Sequence, residues 1–274
     1  MQTHAFKMEN AGLHISYSQI FTYLTCSLKY RFRYVLKKAP ERIGVSLPFG
    51  TAMHRALEFY YQAFGDGRIA KLSILQELFE EDLSSALAEK QDLIVYGKAM
   101  ADKDSAIFTG RAMLKAYYES IDLTGWWFVD VELPLAARLF TEDGKPTDYE
   151  LVGFVDLVMR DPQGDLVVID HKTAARAKVQ ADVDADLQMS VYAYLLAANR
   201  YLFPTATVQC RYDVLRKLKT PKLEHYHTKR SAADRKRLVK IAVGVLQGIE
   251  AGVFVPNRSW MCTDCEYGQA CKSW

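Results

Sequence analysis

Gly153-Phe154-Val155-Asp156-Leu157-Val158-Met159-Arg160-Asp161-Pro162-Gln163-Gly164-Asp165-Leu166-Val167-Val168-Ile169-Asp170-His171-Lys172-Thr173 is the stretch that decides the fold. Two aliphatic runs flank Asp161-Pro162-Gln163-Gly164, where proline presets the second position of a type I turn and glycine accepts the left-handed backbone after it. This predicts a hairpin, with strands over Leu151 to Met159 and Leu166 to Lys172. A three-residue loop of Pro162, Gln163 and Gly164, closed by a type I turn plus a bulge, pairs Asp161 with Asp165. Counting outward sets Asp156 opposite Asp170, with Cβ atoms on the order of 5 Å apart, where like charges destabilise the pair.

A hard divalent cation such as Mg²⁺ or Mn²⁺ compensates two such carboxylates and leaves positions for water or phosphate. Strand period two sends Asp170 and Lys172 to one face and Ile169 and His171 to the other. An ammonium beside that cation can position a water or stabilise charge on a phosphate under attack. An isolated Asp-x-Lys on a strand is more often a surface ion pair. Here both flanking runs read as buried central strands, in which charge is costly unless paired or metal-bound.

Outward from the hairpin, Phe128 to Leu139 reads as a further strand. Upstream, Ser16 and Gln19 fit a capping box for a helix from Tyr17 to about Lys38, with Cys26 in its middle. A second helix is expected from about Phe49 through Phe64, placing Gly50, His54 and Glu58 on one face. Leu72, Leu75, Leu78, Phe79, Leu83 and Leu87 step by three and four, so residues 66–125 read as a helical insertion. Downstream follow a helix from Asp186 to about Tyr201, strands over Thr207–Leu215 and Leu223–Thr228, and a last helix over about Ala232–Ala251. Strands alternating with helices make this an α/β chain, read as one domain over 1–274.

Thirty-five basic against thirty-three acidic residues leave a formal charge of +2, so any case for nucleic acid must come from a site rather than from the whole molecule. No stretch approaches the roughly 20 apolar residues of a membrane helix, and a cytoplasmic protein without membrane contact is expected. Local basic runs exist: Lys29, Arg31 and Arg33; Arg211, Arg216, Lys217, Lys219 and Lys222; Arg235, Lys236 and Arg237. Such runs are usually solvated faces, although a hairpin around Lys217 beside the site could neutralise phosphates. Tyr23, Tyr30, Phe32 and Tyr34 could stack on bases of a single strand, with half or more of them expected in the core.

Cys262, Cys265 and Cys271 lie within a tail over 256–274 and bring three thiols within reach of one metal. Cys26 can supply a fourth if the first helix folds back on the tail. Four thiolates suit either a four-iron cluster or a single zinc. Cys210, within a strand, reads as a buried small hydrophobe.

These motifs, in this order, resemble the RecB-type branch of the PD-(D/E)XK nucleases, which includes the RecB and AddB nuclease domains and the CRISPR-adaptation nucleases. Ser16-Tyr17-Ser18 to Cys26 looks like the family's first helix, Gly50-Thr51-Ala52-Met53-His54 like its histidine motif, and Gly153-Phe154-Val155-Asp156 like its first acidic motif. Ile169-Asp170-His171-Lys172-Thr173 resembles the acidic-x-lysine strand, and Gln188-Met189-Ser190-Val191-Tyr192 the Q-x-x-x-Y helix. Ser27 and Asp170 stand where many relatives carry proline and glutamate.

The resemblance implies a restriction-endonuclease-like core with a mixed central sheet flanked by helices, and a cysteine cluster packed on the N-terminal helix. It implies His54, Asp156 and Asp170 as metal ligands with the His171 backbone carbonyl, Lys172 as the catalytic lysine, and Gln188 and Tyr192 as supports. It implies too that Cys26, Cys262, Cys265 and Cys271 hold an iron–sulfur cluster, of the 4Fe-4S kind, with zinc the alternative. The expected activity is Mg²⁺- or Mn²⁺-dependent cleavage of DNA, from single-stranded ends, in repair, recombination, phage or CRISPR-related processing beside a helicase or integrase. A catalytically idle DNA-binding module and a zinc-stabilised adaptor are the competing readings.

Overall fold

The computed structural model describes residues 13–274. In chain order the elements are β1 (Leu13–Ser16), α1 (Tyr17–Thr25), α2 (Ser27–Tyr30), a π-helical turn (Arg31–Val35), β2 (Ile43–Gly44), α3 (Ser46–Gly65), α4 (Leu72–Glu89), β3 (Ile94–Val95) and α5 (Lys103–Ser120). They continue as β4 (Trp127–Phe140), β5 (Pro146–Arg160), β6 (Leu166–Ala174), α6 (Gln180–Ala185), α7 (Leu187–Ala198), β7 (Val208–Arg216), β8 (Lys222–Arg230), α8 (Ala232–Glu250) and α9 (Gly268–Lys272).

A mixed six-stranded sheet runs β1-β5-β6-β7-β8, with β4 also on β5; β1/β5 and β6/β7 are parallel, the other pairs antiparallel. Helices α7 and α8 bury one face through residues such as Val168, Leu195, Val214 and Leu238. The other face is buried by α3, α4 and α5 through Met53, Phe79, Met113, Leu157 and Ile169. The fold is thus α/β with helices on both faces, as expected.

The hairpin register holds. The Asp161 N–H donates to the Asp165 carbonyl at 3.0 Å, and the ladder pairs Arg160 with Leu166 through Leu157 with Ile169, so Asp156 falls opposite Asp170 one step further on. Because β4 occupies one edge of β5 throughout, β1 and β6 share the other edge, at 149–152 and 157–160. Residues 153–156 have no strand partner on that edge, and a fork opens between β1 and the free end of β6.

Two expectations need correction. The first helix does not run unbroken to Lys38: Cys26 is extended (φ −161°, ψ 104°), and the chain restarts as α2 and the π-helical turn. The tail causes the break, because Ser27 and Leu28 turn their polar groups to Val255 (Leu28 N to Val255 O, 3.1 Å). Helix α3 starts three residues early, at Ser46, since Pro48 lies in its first turn, where a missing N–H removes no helical bond. Residues 13–16 and 180–185 form short elements with too few residues to show a period.

Candidate active site and thiol cluster

The fork is where the chemistry-bearing side chains meet. Asp156 is 9% exposed and Asp170 fully buried, and the Tyr192 hydroxyl lies between them, 3.4 Å from Asp156 Oδ1 and 3.2 Å from Asp170 Oδ1. Gln188 Nε2 donates to Asp170 Oδ1 and to the Tyr192 hydroxyl, both at 2.8 Å. Helix α7 can bring these two residues so close because Gly153 faces it: a Cβ there would meet Leu195 Cδ1 at 3.2 Å. Asp186 caps α7, accepting from the Gln188 N–H at 2.9 Å.

From the opposite face α3 contributes His54, whose Nδ1 is 3.2 Å from Asp156 Oδ2. His54, Glu58, Glu132, Asp156 and Lys172 line one open cavity of about 530 Å³. The Lys172 ammonium is 2.7 Å from Asp170 Oδ2, yet that buried oxygen accepts no well-formed hydrogen bond. A carboxylate oxygen held by an ammonium alone, near a second carboxylate and an imidazole, belongs to a donor set that suits a hard divalent cation.

His171 is divided between two roles. Its imidazole turns to the far core, buried, with Nε2 3.1 Å from the Tyr117 hydroxyl, and burial pulls it down to about 4. Its N–H donates to Asp156 Oδ2 at 3.1 Å, and in a strand the carbonyl of the same residue points to the same edge, toward the fork.

Electrostatics follow from the crowding. Burial, then the nearby Asp156 charge, pushes the Asp170 carboxyl up to about 7, against Lys172. For Asp156 burial is outweighed by the hydrogen bond and charge of His54, and its carboxyl is held below the usual range. His54 itself is pushed up to about 10, because Asp156 and Glu132 together overcome its burial. Lys172 is likewise raised, Asp170 and Asp156 outweighing desolvation.

Sequence reasoning missed Glu132. In β4 it falls opposite Asp156, since Val131 pairs with Leu157 and Leu133 with Val155. Leu133 and Val155 belong to one core while Val131 and Leu157 belong to the other, so both strands change face there, and Glu132 takes a left-handed φ of 50°. That conformation is costly for a non-glycine residue and marks a place where the surroundings hold it. Among the described residues His54, Glu132 and Asp156 form a tight group with ligand atoms within 4.8 Å of one another, whereas Asp170 joins Asp156 through Tyr192. A charged residue between Val131 and Leu133 was the available signal, but a bulge between Arg138 and Phe140 shifts the register, so that counting from the β4–β5 turn sets Glu132 opposite Phe154 rather than Asp156.

The basic and aromatic runs are mostly structural. Arg211 pairs with Asp213 (2.7 Å), Arg216 with Glu224 (2.7 Å), and Arg235 donates to the Pro204 and Ala206 carbonyls. Tyr30 and Phe32 are buried, and the Tyr23 hydroxyl donates to the Val253 carbonyl, so these rings pack the tail rather than offering a stacking face.

The N-terminal helix does meet the tail. Cys26, Cys262, Cys265 and Cys271 line one cavity of about 760 Å³, and all are free thiols. Leu28, Phe32 and Tyr267 form a small core beneath them. Glu41 accepts from the Gln269 and Ala270 N–H groups at the start of α9, both at 2.8 Å, and Asn257 donates to the Thr25 carbonyl at 3.0 Å. Burial, followed by the three neighbouring thiols, raises the Cys271 thiol. Cys210 lies apart, buried in β7, and burial pushes its thiol up to about 12.

A carboxylate pair, an imidazole and a lysine gather at the fork of a mixed sheet, a donor set that suits a divalent cation. The sequence matches the PD-(D/E)XK nuclease superfamily over residues 14–272, and the chain belongs to that family. A crystal structure from Eubacterium rectale named "Putative exonuclease" resembles it with a TM-score of 0.58 at 11% identity, over 100% of this chain and 93% of that one. A structure named SSO0001 has a TM-score of 0.39 at 17% identity, over 93% of this chain and 97% of that one, and carries no weight at that score. No curated protein matches the chain. No helix among the described residues is long and apolar enough to cross a membrane.

Proposed function

We propose that this protein is a Mg²⁺- or Mn²⁺-dependent deoxyribonuclease that hydrolyses phosphodiester bonds at single-stranded ends. The observation that carries the reading is the convergence of Asp156, Asp170 and Lys172 at the fork, with His54 closing the group from α3. Asp156, Asp170, His54 and the His171 carbonyl would hold the cation, with Glu132 a further ligand. Bound there, such an ion supplies charge to the phosphate and makes water more acidic. Lys172 aims an ammonium at the attacking water or the phosphate oxygens. Gln188 and Tyr192 keep Asp170 turned to the ion. Phe154, 55% exposed and two residues from Asp156, supports a single-stranded substrate, because an unpaired base can stack on it.

The test is cleavage of end-labelled linear and circular single strands, and of duplex, with Mn²⁺, Mg²⁺ or chelator. Metal-dependent loss of the linear strand with the circle intact is expected, abolished by Asp156→Ala. DNA binding without cleavage by the intact protein would instead identify an idle module.

The four thiols are proposed to hold a 4Fe-4S cluster. Tetrahedral zinc at about 2.3 Å per Zn–S bond brings its sulfurs within about 3.8 Å of one another. The four thiols line a cavity of about 760 Å³, which offers room for the larger cluster as well. Anaerobically purified protein should be brown, with broad absorption near ~400 nm. Colourless protein with one zinc per chain would refute the cluster and leave the nuclease reading intact.

A further inference from the structure

Lys217 differs from Arg216 and Lys222, its neighbours in the hairpin, and from Lys219, which is exposed. Arg216 and Lys222 both pair with Glu224, at 2.7 and 2.6 Å, whereas Lys217 pairs with no carboxylate among the described residues. Its backbone N–H donates to the Ala174 carbonyl at 2.8 Å, at the end of β6 next to Thr173, which lines the catalytic cavity. From there the side chain crosses to α3 and sets its ammonium 4.3 Å over the ring of Phe49. Phe49 is fully buried, and its sequence neighbour Gly50 lines the same cavity. The ammonium is therefore fixed between α3 and the end of β6, beside residues that line the cavity although Lys217 itself does not line it.

A cation held in this way lacks the anion that its setting calls for. Desolvation pulls it down to about 8, so the Phe49 ring, which attracts a cation only weakly, does not make up for the lost water. An anionic group arriving beside the end of β6 would restore the balance, and a nucleic-acid strand threaded to the carboxylates brings phosphates at regular spacing.

We propose that Lys217 binds a backbone phosphate of the substrate strand adjacent to the one being cleaved, a reading that rests on the nuclease function above. Arg211, Arg216 and Arg235, which the sequence made equal candidates, are committed to internal partners. Lys217 thereby sets how tightly the strand is held, while Lys172 acts at the reacting phosphate.

Lys217→Met tests this, since the thioether chain keeps the packing on Phe49 and removes only the charge. Binding of a labelled single-stranded oligonucleotide is followed by anisotropy across a salt series, with Ca²⁺ in place of the catalytic ion. The expected result is a weaker Kd and a slope of log Kd against log salt reduced by about 0.7, the share of one phosphate contact on a single strand. KM should rise with little change in kcat, Lys217→Arg should retain the slope, and Lys219→Met, at an exposed neighbour, should leave Kd and slope unchanged. Wild-type affinity and slope in Lys217→Met, in a preparation whose wild type cleaves DNA, would overturn the proposal alone. A wild type that neither binds nor cleaves would overturn the nuclease reading together with it.

Discussion

Lys172 can act in two ways that a metal titration separates. A lysine that only neutralises Asp156 and Asp170 becomes dispensable as Mn²⁺ supplies the same charge, whereas one aimed at the reacting water or phosphate does not. Its ammonium already has Asp170 Oδ2 at 2.7 Å and lines the open cavity, so it faces both partners. Lys172→Ala is expected to turn over about 10²- to 10³-fold more slowly in single-turnover cleavage at saturating metal; recovery at high metal would reduce it to a counter-charge. Lys172→Arg should rescue little, because a planar fork cannot replace a compact charge in a crowded site. Acidity gives a second handle. The folded Asp170 carboxyl lies at about 7, above its unfolded value near 4, so its stabilising contribution is complete below about pH 4 and is lost as pH rises toward 7 in the metal-free protein. A bound cation removes that loss by stabilising the ionised form. The rise in thermal midpoint with Mn²⁺ should therefore be small near pH 5 and grow through about pH 7, continuing above it because His54 also gives up a proton. His54, held protonated up to about 10, must also shed a proton to act as a ligand, so calorimetry in two buffers should show proton release on metal binding even at pH 8. A Mn²⁺ shift that is flat with pH, with no proton release, would contradict this ligand set.

Among the elements, α7 depends on one missing side chain. Gly153 leaves room for Leu195, and the helix then delivers Gln188 and Tyr192 to the carboxylates. Gly153→Val should push α7 outward, cost about 1–3 kcal/mol of stability and lower activity further than that loss of folded protein explains, as seen by comparing the melting curve with the specific activity. Unchanged activity would mean that Gln188 and Tyr192 do not need their present distances. The hairpin was the most legible element, because Pro162 and Gly164 specify a turn and the turn fixes the register by counting, so Asp156 and Asp170 could be paired before any coordinates. Glu132 was illegible for the converse reason. Its partner strand is reached through Thr141 to Lys145, a turn from which counting fails at the bulge between Arg138 and Phe140, and its left-handed backbone breaks the alternation on which strand reading relies. The break at Cys26 was hidden as well, since it arises from hydrogen bonds to Val255 and Asn257, more than 200 residues away. Periodicity reports neighbours along the chain and is silent about such contacts.

At the scale of the whole molecule, the thiol cluster joins α1 and α2 to the tail, while the carboxylates sit in the sheet between two separate cores. A metal bridge from Cys26 to Cys262 closes a loop of more than 200 residues, and in the chain-entropy model such a closure stabilises by on the order of 5 kcal/mol. Cys262→Ser should accordingly lower the thermal midpoint, expose the tail to limited proteolysis and leave Mn²⁺ binding at Asp156 in the surviving folded protein. Loss of Mn²⁺ binding together with the cluster would show the two sites to be coupled rather than separate. The same arrangement also sets a schedule for biosynthesis. Cys26 leaves the ribosome more than 200 residues ahead of Cys262 and, at ~5–20 residues per second, waits for roughly 10–50 s before its partners emerge. During that interval all the strands of the sheet are synthesised while the first thiol has no partner thiols, so four-thiol loading must follow synthesis of the last strand, and Cys26 has to stay reduced until then.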